Sequence, residues 1–219
     1  MRIFLDTANT ELIKQWAHTG LVDGVTTNPT HLSVYGNNPT ETVLTICDML
    51  PLGVISVEVV ETDPESVYLQ ARKIASLSDN IAVKIPCHPN YYSVIRKLVE
   101  EGITLNITLV FSLAQGLMMA KLGVDYISPF VGRLDDKGQD GIELVKQLRH
   151  MLDWYGFETQ LLAASIRDTQ HFERAIMAGA DIATVPVNVF EKLLTHPLTD
   201  TGMEQFATDW KKLNITKFP

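Results

Sequence analysis

The stretch IAVKIPCHPNYYSVIRKLVEEGITLNITLV, residues 81–110, decides how the chain folds. Ile81–Pro86 and Thr104–Val110 are short apolar runs of strand type, and between them Tyr91–Glu101 has helical periodicity and closes at Gly102. Strand, helix and strand in that order describe a parallel βαβ unit. The alternation continues outward in both directions. Further strand-type runs fall at Arg2–Asp6, Gly24–Asn28, Ile55–Val60, Tyr126–Val131, Gln160–Ile166 and Ile182–Val187, making eight in all. Helical patterns cover Val67–Leu77, Ser112–Leu122, Gly141–Tyr155 and Asp168–Ala178. No Ser/Gly/Pro-rich linker interrupts them, so residues 1–219 are expected to form one domain. After Pro197 a further amphipathic stretch, about 198–219, sets Met203, Phe206, Ala207, Trp210 and Leu213 on one face. It reads as an extra C-terminal helix that an eight-unit barrel does not need.

Two α/β architectures use such elements, a (β/α)8 TIM barrel and a doubly wound open sheet, and periodicity alone does not reveal strand order. Polar placement favours the barrel. Nearly every strand carries a polar residue in its later half: Asp6, Asn28, Glu58, Lys84, Asn106 with Thr108, Ser128, Ser165 and Thr184. In a barrel those ends converge on one mouth, whereas an open sheet gathers its site at a switch point. Residues two apart on a strand share a face, which groups Asn106 with Thr108, Ser128 with Phe130, and Ser165 with Arg167. The mostly apolar residues between them are expected to face the helices.

Composition narrows the possible partners. The chain has 219 residues, with 18 Lys plus Arg against 26 Asp plus Glu and a formal net charge of -8. Without a basic run, a broad nucleic-acid surface is not expected. Two cysteines, Cys47 and Cys87, do not make a disulfide framework. Met1–Leu12 carries Asp6 and Glu11 where a signal peptide needs an apolar core, and the apolar region Leu105–Val124 is broken by Asn106, Gln115 and Lys121. These features predict a cytoplasmic protein with no membrane segment. The histidines at 18, 31, 88, 150, 171 and 196 have no paired ligand spacing, so no metal site is expected.

Lys84 lies within an apolar run. Desolvation disfavours its ammonium form and favours the free amine that attacks a carbonyl, although a lysine snorkelling from a strand end reads the same way. Glu58, on the neighbouring strand, is placed either for a structural ion pair with Lys84 or for passing protons through a water. Asp6 is either a general base or the N-cap of the following helix. Ser165 and Arg167 after the seventh strand, with Arg133 after the sixth, suggest a phosphate subsite, because a guanidinium fork matches phosphate oxygens and barrels often bind phosphate at these loops. Each arginine alone equally suits a surface ion pair.

The segments Leu5-Asp6-Thr7-Ala8, Gly24-Val25-Thr26-Thr27-Asn28-Pro29, Val83-Lys84-Ile85-Pro86, Asn106-Ile107-Thr108-Leu109-Val110-Phe111-Ser112, Ser128-Pro129-Phe130-Val131-Gly132-Arg133 and Ala163-Ala164-Ser165-Ile166-Arg167 occur in this order. Together they resemble the transaldolase family, in the short-chain branch that also holds the fructose-6-phosphate aldolases. The resemblance runs nearly end to end. It implies that Lys84 forms a Schiff base with the C2 carbonyl of a ketose phosphate, that Asp6 takes the C4 hydroxyl proton, and that Glu58 and Thr108 hold a catalytic water. It further implies that Asn28, Asn106 and Ser128 bind the dihydroxyacetone hydroxyls, that Arg133, Ser165 and Arg167 clamp phosphate, and that no cofactor is needed.

Within the family the aldolases tend to carry Gln where this chain has Glu58 and Tyr where it has Phe130, so both positions are of transaldolase type. The expected substrates are sedoheptulose 7-phosphate or fructose 6-phosphate as donor and glyceraldehyde 3-phosphate or erythrose 4-phosphate as acceptor, in pentose phosphate metabolism. The alternatives are an aldolase releasing free dihydroxyacetone, a non-covalent phosphosugar isomerase using Glu58 as base, and an inactive sugar-phosphate-binding barrel. The resemblance also implies a homo-oligomer, a pentamer or decamer, with exchange of C-terminal helices. Two places depart from the family pattern: the segment Cys87–Tyr92, expected near the mouth, and His31, which stands where an apolar residue is expected and receives no role.

Overall fold

The computed structural model describes residues 1–34 and 38–213. Its strands are β1 (Arg2–Asp6), β2 (Gly24–Thr26), β3 (Val54–Glu58), β4 (Ile81–Pro86), β5 (Leu105–Val110), β6 (Tyr126–Pro129), β7 (Gln160–Ala163) and β8 (Ile182–Val185). All pair in parallel with their sequence neighbours, and β8 closes onto β1. Around them run α1 (Thr10–Ala17), α2 (Pro29–Val34), α3 (Pro39–Met49), α4 (Pro64–Ala75), α5 (Tyr92–Glu100) and α6 (Leu113–Leu122). The second half adds α7 (Val131–Asp135), α8 (Gly141–Tyr155), α9 (Thr169–Met177) and α10 (Val187–Leu193), and α11 (Pro197–Lys212) follows the last barrel helix. This is a (β/α)8 TIM barrel with an added C-terminal helix; residues 214–219 of the expected extension lie outside the described residues. Among the described residues no helix is long and apolar enough to cross a membrane.

Local chemistry starts the helices where the loops end. Asn9, Asn38, Asp63, Ser112, Asp140 and Asp168 each accept a hydrogen bond from a first-turn N–H, which satisfies donors that an isolated helix leaves open. The cap of α1 is therefore Asn9, and the capping alternative for Asp6 is overturned: Thr7 and Ala8 separate Asp6 from the cap, and its carboxylate accepts from Thr26.

Alternation along the strands builds two apolar regions. Outward-facing Leu5, Val25, Ile55, Val83, Ile85 and Ile107 join helix residues such as Ile13, Ile46, Ile95, Leu98, Leu148 and Phe190 in the main core. A fully buried side chain of this size stabilises the fold by roughly 1.5–3 kcal/mol. Inside the barrel, Phe4, Ala82, Tyr126, Leu162 and Ile182 form a separate plug, with Val54 and Phe130 against it. The Arg2 guanidinium lies 5.6 Å from the Phe4 ring centre and 5.8 Å from that of Tyr126, and donates to Gln160 at the same end. Gly24 makes the plug possible: a Cβ there would stand 2.7 Å from the Phe4 ring and against the Val54 carbonyl oxygen. The plug fills the bottom of the barrel, so the polar residues further along each strand have one place to meet.

Five strands end earlier than their apolar runs suggest. β2 stops at Thr26, β3 at Glu58, β6 at Pro129, β7 at Ala163 and β8 at Val185. The chain leaves the ladder there to serve the loops. The Asn28 side chain accepts from the His31 N–H at the start of α2 (2.9 Å), Phe130 and Pro186 occupy the N-cap positions of α7 and α10, and Ser165 turns into the left-handed region at φ 59°.

Candidate active site

Above the plug, at the C-terminal ends of the strands, lies a cavity of about 430 Å3. Its floor is a layer of buried hydroxyls and amides. Thr26 Oγ1 donates to Asp6 Oδ1 (2.9 Å), so its 2.6 Å contact with Thr184 Oγ1 is one in which Thr184 donates. Ser128 Oγ donates to Asn106 Oδ1 (2.6 Å) and Asn106 Nδ2 donates to Ser56 Oγ (3.1 Å), which fixes the Asn106 amide and leaves one of its N–H groups for the cavity.

Lys84 is 6% exposed. Its Nζ donates to the Thr27 carbonyl oxygen (2.8 Å) and lies 3.1 Å from Glu58 Oε2, its register partner on β3. Two acceptors thus hold the amine at the cavity wall, and one can take a proton from it. Snorkelling to solvent, the alternative for this lysine, does not occur. The Thr108 hydroxyl, on the next strand and also lining the cavity, is buried without a hydrogen-bond partner among the described residues. A buried hydroxyl without a partner is costly, and here its donor and acceptor capacity belongs to a residue lining the same cavity as Lys84 and Glu58.

Asp6, Asn28, Ser128, Phe130, Arg133 and Ser165 line the same cavity. The Arg133 guanidinium stacks 5.0 Å from the Phe130 ring centre, and Phe130 meets Phe111 edge-on at 5.9 Å, which gives this wall an apolar face with a cation behind it.

Arg167 does not line the cavity. Its guanidinium makes a two-bond ion pair with Asp136, and it is half-exposed. Hydrogen bonding from Arg167 holds the Asp136 carboxyl below the usual carboxylate range. The expectation that Ser165 and Arg167 share a strand face fails because β7 has already ended and Ser165 adopts a positive φ. Arg167 nevertheless stays beside the clamp loops: a Cβ at Gly132 would stand 2.5 Å from Arg167 Nε and 2.6 Å from the Ser165 carbonyl oxygen.

Leu109 breaks the same rule. It sits at φ 59° where the β5–β6 register shifts, and this turns an apolar residue expected to face the helices into the cavity lining. Leu109 and Ser165 are the two positive-φ residues other than glycine among the described residues, and both border the cavity, where strained backbone commonly gathers. No residue of the segment Cys87–Tyr92 lines it. Cys87 is buried with a hydrogen bond to Tyr92, and burial pushes its thiol up.

His31 is the residue that sequence reasoning left without a role. It lines the cavity, with Nδ1 3.2 Å from Asn28 Nδ2 and 3.7 Å from Asp6 Oδ1. The available signal was its spacing: three residues after Asn28, at the start of a helix, it falls on the same helical face. Among the described residues no group of three or more His, Cys, Asp and Glu converges as a metal site would require.

A model of the family described as Transaldolase/Fructose-6-phosphate aldolase matches residues 3–217. A probable transaldolase of Lactiplantibacillus plantarum is 52% identical over 217 residues, covering 99% of this chain and 100% of that protein. Probable transaldolases of Petrotoga mobilis (47% identical, 97% of this chain and 96% of the relative) and Leptospira biflexa (44% identical, 98% and 100%) are similar over the same extent.

Proposed function

The chain belongs to the transaldolase/fructose-6-phosphate aldolase family, and from that membership we propose that it is a transaldolase, moving a dihydroxyacetone unit from a ketose phosphate to an aldose phosphate through a Schiff base on Lys84. The observation that carries the reading is a buried amine 3.1 Å from the Glu58 carboxylate, in a cavity that also presents Asp6.

Lys84 passes a proton to Glu58 and its free amine adds to C2 of the donor. Glu58 returns a proton as the carbinolamine loses water, and the Thr108 hydroxyl is the group available to hold that water. The protonated imine then accepts the C3–C4 bonding electrons while Asp6 removes the C4 hydroxyl proton. An aldose phosphate departs, and an enamine remains on Lys84. The amides of Asn28 and Asn106 and the hydroxyl of Ser128 hold its hydroxyls, and Phe130 offers it an apolar face with no proton to give. An acceptor aldose phosphate then adds by the reverse steps. Arg133 and Ser165, with Arg167 once it leaves Asp136, are the proposed phosphate clamp. The enzyme is proposed to work in the cytoplasm as one domain spanning residues 1–219.

Supplying fructose 6-phosphate with and without erythrose 4-phosphate tests the transfer. Turnover with acceptor is expected to exceed dihydroxyacetone release without it by at least about tenfold, a barrier difference of about 1.4 kcal/mol. Equal rates would make the protein an aldolase.

We also propose a homo-oligomer, pentameric or decameric as the family resemblance implies. Helix α11 buries none of its described residues and exposes Leu198, Met203 and Phe206, with exposed Leu213 at its C-cap, an apolar face suited to a neighbouring copy. A chain ending at Pro197 is expected to elute as a smaller species in size-exclusion chromatography; an unchanged oligomer would exclude α11 from the interface.

A further inference from the structure

We infer that His31 is a second seat for the proton that Asp6 removes from the substrate, an inference that rests on the aldol cleavage proposed above. Hydrogen bonding determines the state of the ring. Asn28 Oδ1 is occupied by the His31 backbone N–H at 2.9 Å, so the amide nitrogen is what faces His31 Nδ1 at 3.2 Å. An amide nitrogen only donates; Nδ1 is therefore the acceptor, and the neutral ring carries its hydrogen on Nε2. Asp6 Oδ1 lies 3.7 Å from the same Nδ1, too far for a hydrogen bond in this arrangement.

Protonation reverses the preference. An Nδ1–H confronts the Asn28 amide donors and faces the Asp6 carboxylate instead, and a closure of roughly 1 Å makes a charge-assisted hydrogen bond of ordinary length. The side chains are 29% exposed for His31 and 25% for Asp6, packed enough to hold this geometry and open enough to exchange a proton with solvent. The other charged groups facing the cavity do not compete for the ring: Glu58 on β3 and Lys84 on β4 pair with each other, and Arg133 on α7 stacks on Phe130.

The proton balance is simple. As the C3–C4 bond breaks, the C4 hydroxyl proton moves to Asp6, its O–H electrons form the aldehyde C=O, and the bonding pair enters the enamine. Asp6 passes the proton to His31 Nδ1, leaving a carboxylate–imidazolium pair. When the acceptor aldehyde adds, the proton returns through Asp6 to the new C4 oxygen. The pair thus keeps the proton in the site while the enamine waits, and at low pH a proton taken from solvent onto His31 ties up Asp6 before cleavage.

The test compares wild type, His31→Gln and His31→Leu by borohydride trapping with fructose 6-phosphate and by steady-state transfer across pH. Glutamine retains a hydrogen-bonding side chain but cannot carry the proton. Both variants are expected to trap the adduct like wild type, to keep KM within about twofold and to lose kcat by roughly 10–100-fold, the lower range for a positioned proton-transfer group. Both should also lose the part of the acid limb of kcat that the ring contributes. A His31→Gln enzyme with wild-type kcat and the wild-type acid limb overturns the inference, since the ring would then only hold Asn28. So does a rise in KM at constant kcat. If wild type itself fails to trap, the transaldolase reading falls and takes this inference with it; if wild type traps and turns over while the variants match it, this inference alone falls.

Discussion

Lys84→Ala is expected to remove the borohydride-stable adduct with fructose 6-phosphate completely and to lower kcat by at least about 10³-fold, close to 4 kcal/mol of barrier. The prediction follows from the burial of Lys84 and from its two acceptors, the Thr27 carbonyl oxygen at 2.8 Å and Glu58 at 3.1 Å. Among the described residues no other lysine lines the cavity, so none of them offers a second amine poised to replace it. Removing the amine also leaves the Glu58 carboxylate, only 15% exposed, without its ion-pair partner, a change expected to lower stability, though by less than the several kcal/mol typical when one member of a fully buried pair is deleted. Lys84→Met, which keeps most of the volume, separates the two effects: thermal unfolding reports the stability loss, and mass spectrometry after reduction reports the chemistry. An adduct of wild-type yield on either folded variant would place the Schiff base elsewhere and end the proposed mechanism.

Asp6→Asn is the second large effect, with the opposite trapping result. The imine should still form, because it depends on Lys84 and Glu58, while kcat for transfer falls by roughly 10²–10⁴-fold, the usual contribution of a general base. The substitution isolates proton removal. Asn keeps a carbonyl oxygen that can accept from Thr26 Oγ1, so the 2.9 Å bond between β1 and β2 has a replacement acceptor and the barrel floor is preserved. Transfer within a few-fold of wild type would remove Asp6 from the chemistry and reduce it to a partner of Thr26 and His31. Together the two variants divide the reaction into imine formation and carbon–carbon cleavage.

Much of this protein is legible in order along the chain. Ile81–Pro86 and Arg2–Asp6 are strands with the bounds their apolar runs suggest, and Gly141–Tyr155 is a helix over its whole periodic stretch. Asp140 caps that helix and Gly156, in the left-handed conformation, ends it. These are local matters, settled by side-chain spacing and by which residues satisfy free N–H groups or tolerate positive φ. The choice of barrel over open sheet was also accessible, because polar residues late in successive buried strands need a common place to meet.

The sequence alone therefore determined the eight βα units, the polar strand ends and the position of Lys84 among them. Tertiary structure decided which of those polar groups share one cavity and what each contacts. Closing β8 onto β1 placed Thr184 against Thr26 and, through it, Asp6. Departures from strand geometry at Leu109 and Ser165 turned an apolar residue into the cavity and broke the expected pairing of Ser165 with Arg167, which was left with Asp136. The start of α2 brought His31 beside Asn28 and Asp6. The physical reason is that periodicity specifies which face a side chain takes only while the backbone stays regular. Catalytic loops begin where it stops, and there the direction of a side chain is set by contacts between segments distant in the chain.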